Sequence, residues 1–410
     1  MFDRSTFRLT AWVVVAALLI GNVRQAQAQS GTAVKDIQVS SFFGHEIIFS
    51  ARIESLIEVQ QASILIQDQA SGIVRVQPLV VGENGQTEFH FDTSQNILPP
   101  FVRVSFWYQA ALANGQTYTS DMYYTDYIDN RFGEWQSRGA GALSVHWYSS
   151  DEAFGQAALD RAQAGLQAIG NLLPLDLSQP VDIYIYATPD DLQGALYLGG
   201  ETWEAGHANP ALGVVMVAIA PGPQQGIEME QRIPHELAHV ILYRQVGGGY
   251  NNLPTWLREG MATLAELYPN PDYDRALTDA SRKGTLIPLK DLCASFPPNV
   301  GQAFLAYAES RSFTRYLRDT YGASSLLGLA NVYADGLDCD KGITRALGAS
   351  LEQLDIRWRE AVLGENAARL AFRNMAPFLV LLAVILIVPL WGAVNLIRRK
   401  GNHHGSKKQP

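Results

Sequence analysis

From about residue 35 to 130 the apolar residues recur at every second position. In "EIIFSARI" Ile47, Phe49, Ala51 and Ile53 share one face, and in "VRVSFWY" Val102, Val104, Phe106 and Tyr108 do the same. Asn84-Gly85 and Asn114-Gly115 interrupt these runs with residues that accept the positive φ of tight hairpins. Short strands with turn signals at this spacing predict an antiparallel sandwich. Near residue 140 the period changes. Residues 143–149 read as a strand, and residues 151–173 as a helix with Phe154, Ala158, Ala162, Leu166 and Ile169 on one stripe. Strands follow at 181–188 and 213–220, separated by a short helix from about 189, and from 230 to 370 the pattern is mainly helical. Strands first and helices later predict an α+β domain.

Both ends depart from this globular texture. Arg4 and Arg8 precede an apolar run from Leu9 to Ile20, and Ala26-Gln27-Ala28 then offers a small-x-small cleavage site, so residues 1–28 read as a secretory signal peptide. An uncleaved anchor is the alternative, but the run is short for a bilayer. Residues 377–397 are uncharged and long enough to cross the hydrocarbon as a helix, and Arg398, Arg399 and Lys400 follow. Basic residues stay on the cytoplasmic side, so residues 398–410 are expected inside and the bulk of the chain outside, on a single-pass membrane protein. His403 and His404 are read as solvated tail.

The total charge of −9 understates the acidity of the exported part. The two ends, 1–28 and 398–410, carry +2 and +5, which leaves −16 on residues 29–397. That balance argues against nucleic acid or an anionic lipid surface as the partner of a basic face. Only two cysteines occur, Cys293 and Cys339. In an oxidising compartment such a pair favours an intramolecular disulfide over two free thiols, and two cysteines are too few for a cysteine-based zinc site.

The chemistry concentrates in "RIPHELAHVILYRQ", residues 232–245. His235 and His239 are four apart, so on a helix they project from one face, one turn apart, where both imidazoles can reach a single ion. Glu236 lies beside that face, placed to touch a water near the ion. Pro234 belongs either in a first turn or at a kink, and Gly247-Gly248-Gly249 ends the helix. Two incidental histidines on an amphipathic helix are the competing reading. A catalytic zinc ion needs a third protein ligand and an open position, and "LPTWLREGMATLAE" (253–266) supplies Glu259, 20 positions after His239 and at the start of a second helix. Trp256 and Leu257 read as packing.

The pair "HELAH" and "WLREGMATLAE" resembles the gluzincin metallopeptidases, the group containing thermolysin and aminopeptidase N, and most of all the peptidase MA-like families. The similarity covers roughly residues 140–365. It implies His235, His239 and Glu259 as ligands of one zinc ion, Glu236 as general acid and base, and a peptide or protein substrate. It further implies Tyr307, in "LAYAESRSFTRYLRDTYG", as a hydroxyl beginning a later helix and donating to the oxyanion, against a packing role of equal weight. Glu266 also fits the pattern and is read either as orienting a ligand or as a surface carboxylate. The G-x-M-E-N strand of the aminopeptidases is missing from "GVVMVAIAPGPQQGIEMEQ", so aminopeptidase activity is not expected; Glu228 and Glu230 there read as helix-start carboxylates, and His207, in "EAGHANP", reads either as a residue near the site or as a loop histidine. The expected architecture is therefore an α+β thermolysin/aminopeptidase-like zinc peptidase domain over 140–370. An all-β immunoglobulin-like sandwich over 35–130 precedes it, and one transmembrane helix follows. The alternative function is a catalytically inactive cell-surface binding or adhesion protein that keeps the fold.

Overall fold

The computed structural model describes residues 31–197, 206–365, 375–389 and 391–392. Its first part is all β: β1 (Ala33–Phe42), β2 (Glu46–Glu54), β3 (Val59–Asp68), β4 (Val74–Leu79), β5 (Gln86–Asp92), β6 (Arg103–Leu112), β7 (Thr117–Thr119) and β8 (Tyr123–Asp126). They form two antiparallel sheets, ordered β1-β2-β5 and β4-β3-β6-β7, with β8 also paired to β6. The alternation seen in the sequence decides which side faces in. Ile47, Phe49, Ala51 and Ile53 of β2 are buried, and Phe49 meets Phe106 of the opposite sheet with ring centroids 4.8 Å apart. Gly85 and Gly115 sit at φ 75° and 82° in the turns, a region closed to most side chains.

A third sheet follows, built from β9 (Gln136–Ala140), β10 (Leu143–Trp147), β11 (Val181–Tyr186), β12 (Gly206–Asn209) and β13 (Val214–Ala218), in the order β12-β13-β11-β10-β9. The three inner strands are parallel and the two edges antiparallel. Parallel pairing of β10 and β11 requires a crossover. It is supplied by α1 (Glu152–Gly170), whose side chain-capped start at Asp151 and buried stripe match the sequence pattern. Every residue of β13 is buried, because both faces of the sheet are covered. Val145, Ile183, Val215 and Val217 share a core with α1 and the later helices. Tyr186, Val214, Met216 and Ala218 instead join the core of the β-sandwich, together with Leu192 and Leu196 of α2 (Pro189–Tyr197). Phe101 of the sandwich stacks on Tyr184 of β11 at a centroid distance of 3.4 Å.

The helical half comprises α3 (Gln225–Val246), α4 (Thr255–Ala265), α5 (Asp272–Lys283), α6 (Val300–Tyr321), α7 (Ala323–Ala334), α8 (Cys339–Leu347) and α9 (Leu351–Leu363). Gly247, at φ 61°, ends α3 where the glycine triplet predicts a stop. Pro234 lies inside α3, neither in the first turn nor at its end. Its ring is received by α1: a β-carbon on Gly165 would stand 3.0 Å from it. Cys293 and Cys339 are joined by a disulfide, with their Cα atoms 6.1 Å apart. This tethers the loop before α6 to the start of α8.

The chain is thus α+β, with its β sheets first and its helices last. The short edge strands β9 and β12 do not show in the sequence pattern; five and four residues, respectively, with no apolar alternation leave no periodic signal. The expected membrane span over 377–397 is not supported: among the described residues no helix is long and apolar enough to cross a membrane. Residues 375–389 are helical with exposed apolar side chains such as Phe378 and Val380. Residue 390 and residues 393–410, with the basic tail, lie outside the described residues, as does the proposed signal peptide.

Candidate active site

Two helices and one strand edge build the site. The period of α3 puts His235 and His239 on one face one turn apart, with ring centroids 5.1 Å from each other. The chain then breaks at Gly247, passes a short 3₁₀ turn (Gly247–Asn252), and returns in α4. That return carries Glu259 to the histidines: its Oε2 lies 3.3 Å from His235 Nε2 and 3.7 Å from His239 Nε2. One donor atom from each of the three residues lies within 4.8 Å of the others, the single such cluster found among the described residues. Two imidazole nitrogens and one carboxylate oxygen, converging from separate helices and largely buried, are a donor set that fits a divalent ion of the zinc type.

Why α4 comes so close is written in one glycine. A β-carbon on Gly260 would stand 2.1 Å from Thr314 Oγ1 and 2.6 Å from the Ser310 carbonyl oxygen of α6. Only glycine permits this crossing, and it lies next to Glu259. Trp256, fully buried edge-on against Phe313, packs the same interface.

The outer nitrogens of both imidazoles are occupied. Glu266 Oε1 is 3.2 Å from His235 Nδ1, and the Glu266 side chain is only 7% exposed, so it orients that ring and is not a surface carboxylate. Tyr250, from the 3₁₀ turn, brings its hydroxyl to 2.8 Å from His239 Nδ1. The Arg258 guanidinium lies 5.4 Å from the centre of the Tyr250 ring. With Nδ1 engaged in each ring, Nε2 points into the cluster. Sequence reasoning missed Tyr250.

The electrostatics follow from burial and these partners. Burial opposes ionisation of Glu259, but the two imidazoles, the His235 hydrogen bond and Arg258 outweigh it and hold the carboxyl at about 2. Burial pushes His239 down to about 4, so it is neutral at physiological pH. Burial also works against charging His235, yet hydrogen bonds to Glu259 and Glu266 and the charge of Glu236 raise it well above its ordinary value. At neutral pH the cluster therefore holds an ionised Glu259 carboxylate beside a neutral His239, while three carboxylates face His235.

Glu236 lies beneath the sheet edge. A β-carbon on Gly206 of β12 would come within 2.5 Å of Glu236 Oε1, so the strand passes directly over this carboxylate. His207, the next residue of β12, lies in this strand and not in a loop, and it is close enough to His239 to depress its basicity electrostatically. A cavity of about 560 Å³ opens beside the cluster and reaches His235, Glu236, His239, Glu259, Glu266 and Tyr307. Tyr307 lies two turns into α6 and not at its start, because that helix begins at Val300 under an Asn299 cap. Its ring centre is 6.2 Å from that of His235. Glu228 and Glu230 are taken up in pairs with Arg232 and Arg161 at the start of α3.

The family model of the Peptidase MA superfamily matches residues 161–364, just under half of the chain. No curated protein matches. Among solved structures, the chain is similar to an aminopeptidase N family protein from Idiomarina loihiensis at 9% identity, over 83% of this chain and 75% of that one, with a TM-score of 0.32. A structure described as a myokine matches at 16% identity over 24% of this chain and all of its own length, with a TM-score of 0.20. Scores at this level carry neither fold nor activity. The stretch from α1 to α9 has a peptidase MA-like fold, which suggests a metallopeptidase, and His235, His239 and Glu259 form its possible metal site.

Proposed function

We propose that this chain is a zinc metallopeptidase of the gluzincin type that hydrolyses peptide bonds. The observation that carries the reading is the convergence of His235, His239 and Glu259, from two helices, beside the Glu236 carboxylate at the mouth of a cavity. A zinc ion held by these three side chains would supply Lewis-acid polarisation of the scissile carbonyl and a lowered pKa for its water. Glu236 takes a proton from the attacking water as the oxygen adds to the carbonyl carbon. It then delivers that proton to the leaving amine nitrogen as the C–N bond breaks. Tyr307 faces the same cavity, and its hydroxyl donates a hydrogen bond to the developing oxyanion. Glu266 and Tyr250 hold the two imidazoles in orientation. Walls formed by α6 and by β12 limit the access of bulk water to the reacting atoms.

The reading favours internal cleavage over aminopeptidase action, since the G-x-M-E-N motif is missing from the sequence. An extracytoplasmic setting belongs to the same proposal, supported by the composition of residues 1–28 and by the Cys293–Cys339 disulfide. A membrane tether through 377–397 rests on the uncharged sequence alone.

The test uses the full-length chain and its Glu236→Gln variant, both with metal content measured, on a library of unstructured peptides followed by mass spectrometry. The expected result is chelator-sensitive cleavage by the parent protein and loss of at least about 10³-fold in kcat for the variant, with metal still bound. Full metal content without cleavage of any peptide would instead support the binding-protein alternative.

A further inference from the structure

Pro234 lies inside α3, buried, directly before His235. Proline is the least favourable residue for a helix interior. It has no N–H to give to the carbonyl four residues back, and its ring crowds that same carbonyl. Here the carbonyl belongs to Glu230. A buried carbonyl deprived of its helical donor must find another partner or stand unpaired. The Glu230 oxygen accepts the backbone N–H of Leu267, at 2.9 Å, from the chain leaving α4. What α3 lacks at position 234 is thus what lets it receive the end of α4.

The consequence lies in the neighbour of Leu267. Helix α4 ends at Ala265, and Glu266 follows at φ −56° and ψ 130°, already out of the helical conformation. A helix end frays unless the chain beyond it is anchored, yet the Glu266 carboxylate reaches His235 Nδ1 at 3.2 Å. Over residues 266–271 the Leu267–Glu230 bond is, among the described residues, the one backbone–backbone hydrogen bond that reaches outside this stretch and α5. It holds the chain one residue past Glu266 against the turn of α3 that leads into His235. The acceptor side is fixed as well. The Glu230 carboxylate pairs with Arg161 of α1 at 3.4 Å, and a β-carbon on Gly165, one turn further along α1, would stand 3.0 Å from the Pro234 ring. Helix α1 therefore braces both the proline and the residue whose carbonyl it frees.

We infer that Pro234 is a positioning residue: by withholding one N–H it leaves the Glu230 carbonyl to Leu267, and so seats Glu266 against His235 at the metal site. The assignment rests on the zinc reading for what Glu266 serves, but the clamp itself is tested without metal. In the metal-free full-length chain, Pro234→Ala supplies the missing N–H and keeps the β-carbon that meets Gly165. Hydrogen–deuterium exchange of the Leu267 amide, read at residue resolution by mass spectrometry, is expected to quicken by about tenfold or more. Zinc affinity in chelator competition is expected to fall by about tenfold or more, as loss of an orienting partner does, although alanine is the better helix former. A second comparison separates positioning from packing. Glu266→Gln weakens zinc binding on its own, and adding Pro234→Ala to it is expected to change the affinity by less than about twofold, because both act through one carboxylate. Leu267→Pro deletes the donor after an extended residue, a backbone that suits a following proline, and is expected to reproduce the loss. A Leu267 amide that exchanges as slowly in Pro234→Ala as in the parent overturns the inference. So does an unchanged zinc affinity, or one that falls by the same factor again in the Glu266→Gln background. A parent chain that binds no zinc, with the exchange result as expected, would sink the metal reading and leave the clamp standing.

Discussion

At the scale of single residues, the account turns on groups that touch the three converging donors. Tyr250 is the least expected of them. Its hydroxyl fixes the His239 ring without adding a charge, in contrast to Glu266 on His235. Tyr250→Phe removes that one hydrogen bond and keeps the packing, and zinc affinity is expected to fall about tenfold or more in a chelator competition assay, with the melting temperature nearly unchanged. An unaltered affinity would mean that packing alone orients His239. Gly206 makes a second prediction. Because a β-carbon there would strike Glu236, Gly206→Ala must displace the carboxylate. Peptide turnover is expected to fall at least about tenfold while zinc content stays at the parent value, since a 1 Å misplacement of a catalytic group can cost about 10²-fold. Much at this scale was legible in the sequence. Helical spacing alone brought His235 and His239 to one face with Glu236 beside it, and Glu266 follows Glu259 by seven residues, two turns along the same face of the chain's return. Tyr250 was not legible, because it lies in a glycine-rich turn with no period to project it. Gly206 and His207 belong to a four-residue edge strand set by pairing with β13, a contact invisible along the chain.

At the scale of elements, the crossing of α4 and α6 sets the site. Gly260 admits the Thr314 hydroxyl and the Ser310 carbonyl into the space a side chain would fill. Gly260→Ala is expected to lower stability by about 1–3 kcal/mol by overpacking, read as a reduced midpoint in urea, and to weaken zinc binding because Glu259 moves with its helix. A neutral effect on both would show that the crossing relaxes freely. The partner helix α6 buries Glu309 completely; burial pushes its carboxyl up to about 8 although the Ile287 N–H donates to it at 2.9 Å. Its ordinary value is 4.5, so the folded state holds a proton that the unfolded chain gives up between these two values. The stability this group contributes is fully present below about pH 4.5 and is lost as pH rises toward about 8. Each unit of that window corresponds to about 1.4 kcal/mol. Glu309→Gln is expected to flatten the fall in melting temperature between pH 5 and 8, and an unchanged slope would refute the assignment. The element pattern itself was largely readable. The stripe of α1 and the glycine stop of α3 stand where the sequence puts them, whereas Tyr307 lies deeper in α6 than expected because Asn299, with no apolar signal before it, starts the helix early.

At the scale of the whole molecule, the β-sandwich and the helical half share one sheet. Strands β11 and β13 bury one face toward the helical half and the other against the sandwich, through contacts such as Phe101 on Tyr184. The sequence pattern separated these parts but could not show that β13 would be apolar on both faces for this reason. Covered on both sides, the sheet gives β12 a fixed place over Glu236, and thereby couples the first half of the chain to the chemistry of the second. The central claim remains that three side chains gather one zinc ion for hydrolysis. It is tested most directly by titrating the metal-stripped full-length chain with zinc while following cleavage of a susceptible peptide. The account predicts turnover that rises linearly and levels off at one equivalent. Turnover indifferent to zinc, or a chain saturated with one ion that cleaves nothing, would contradict it.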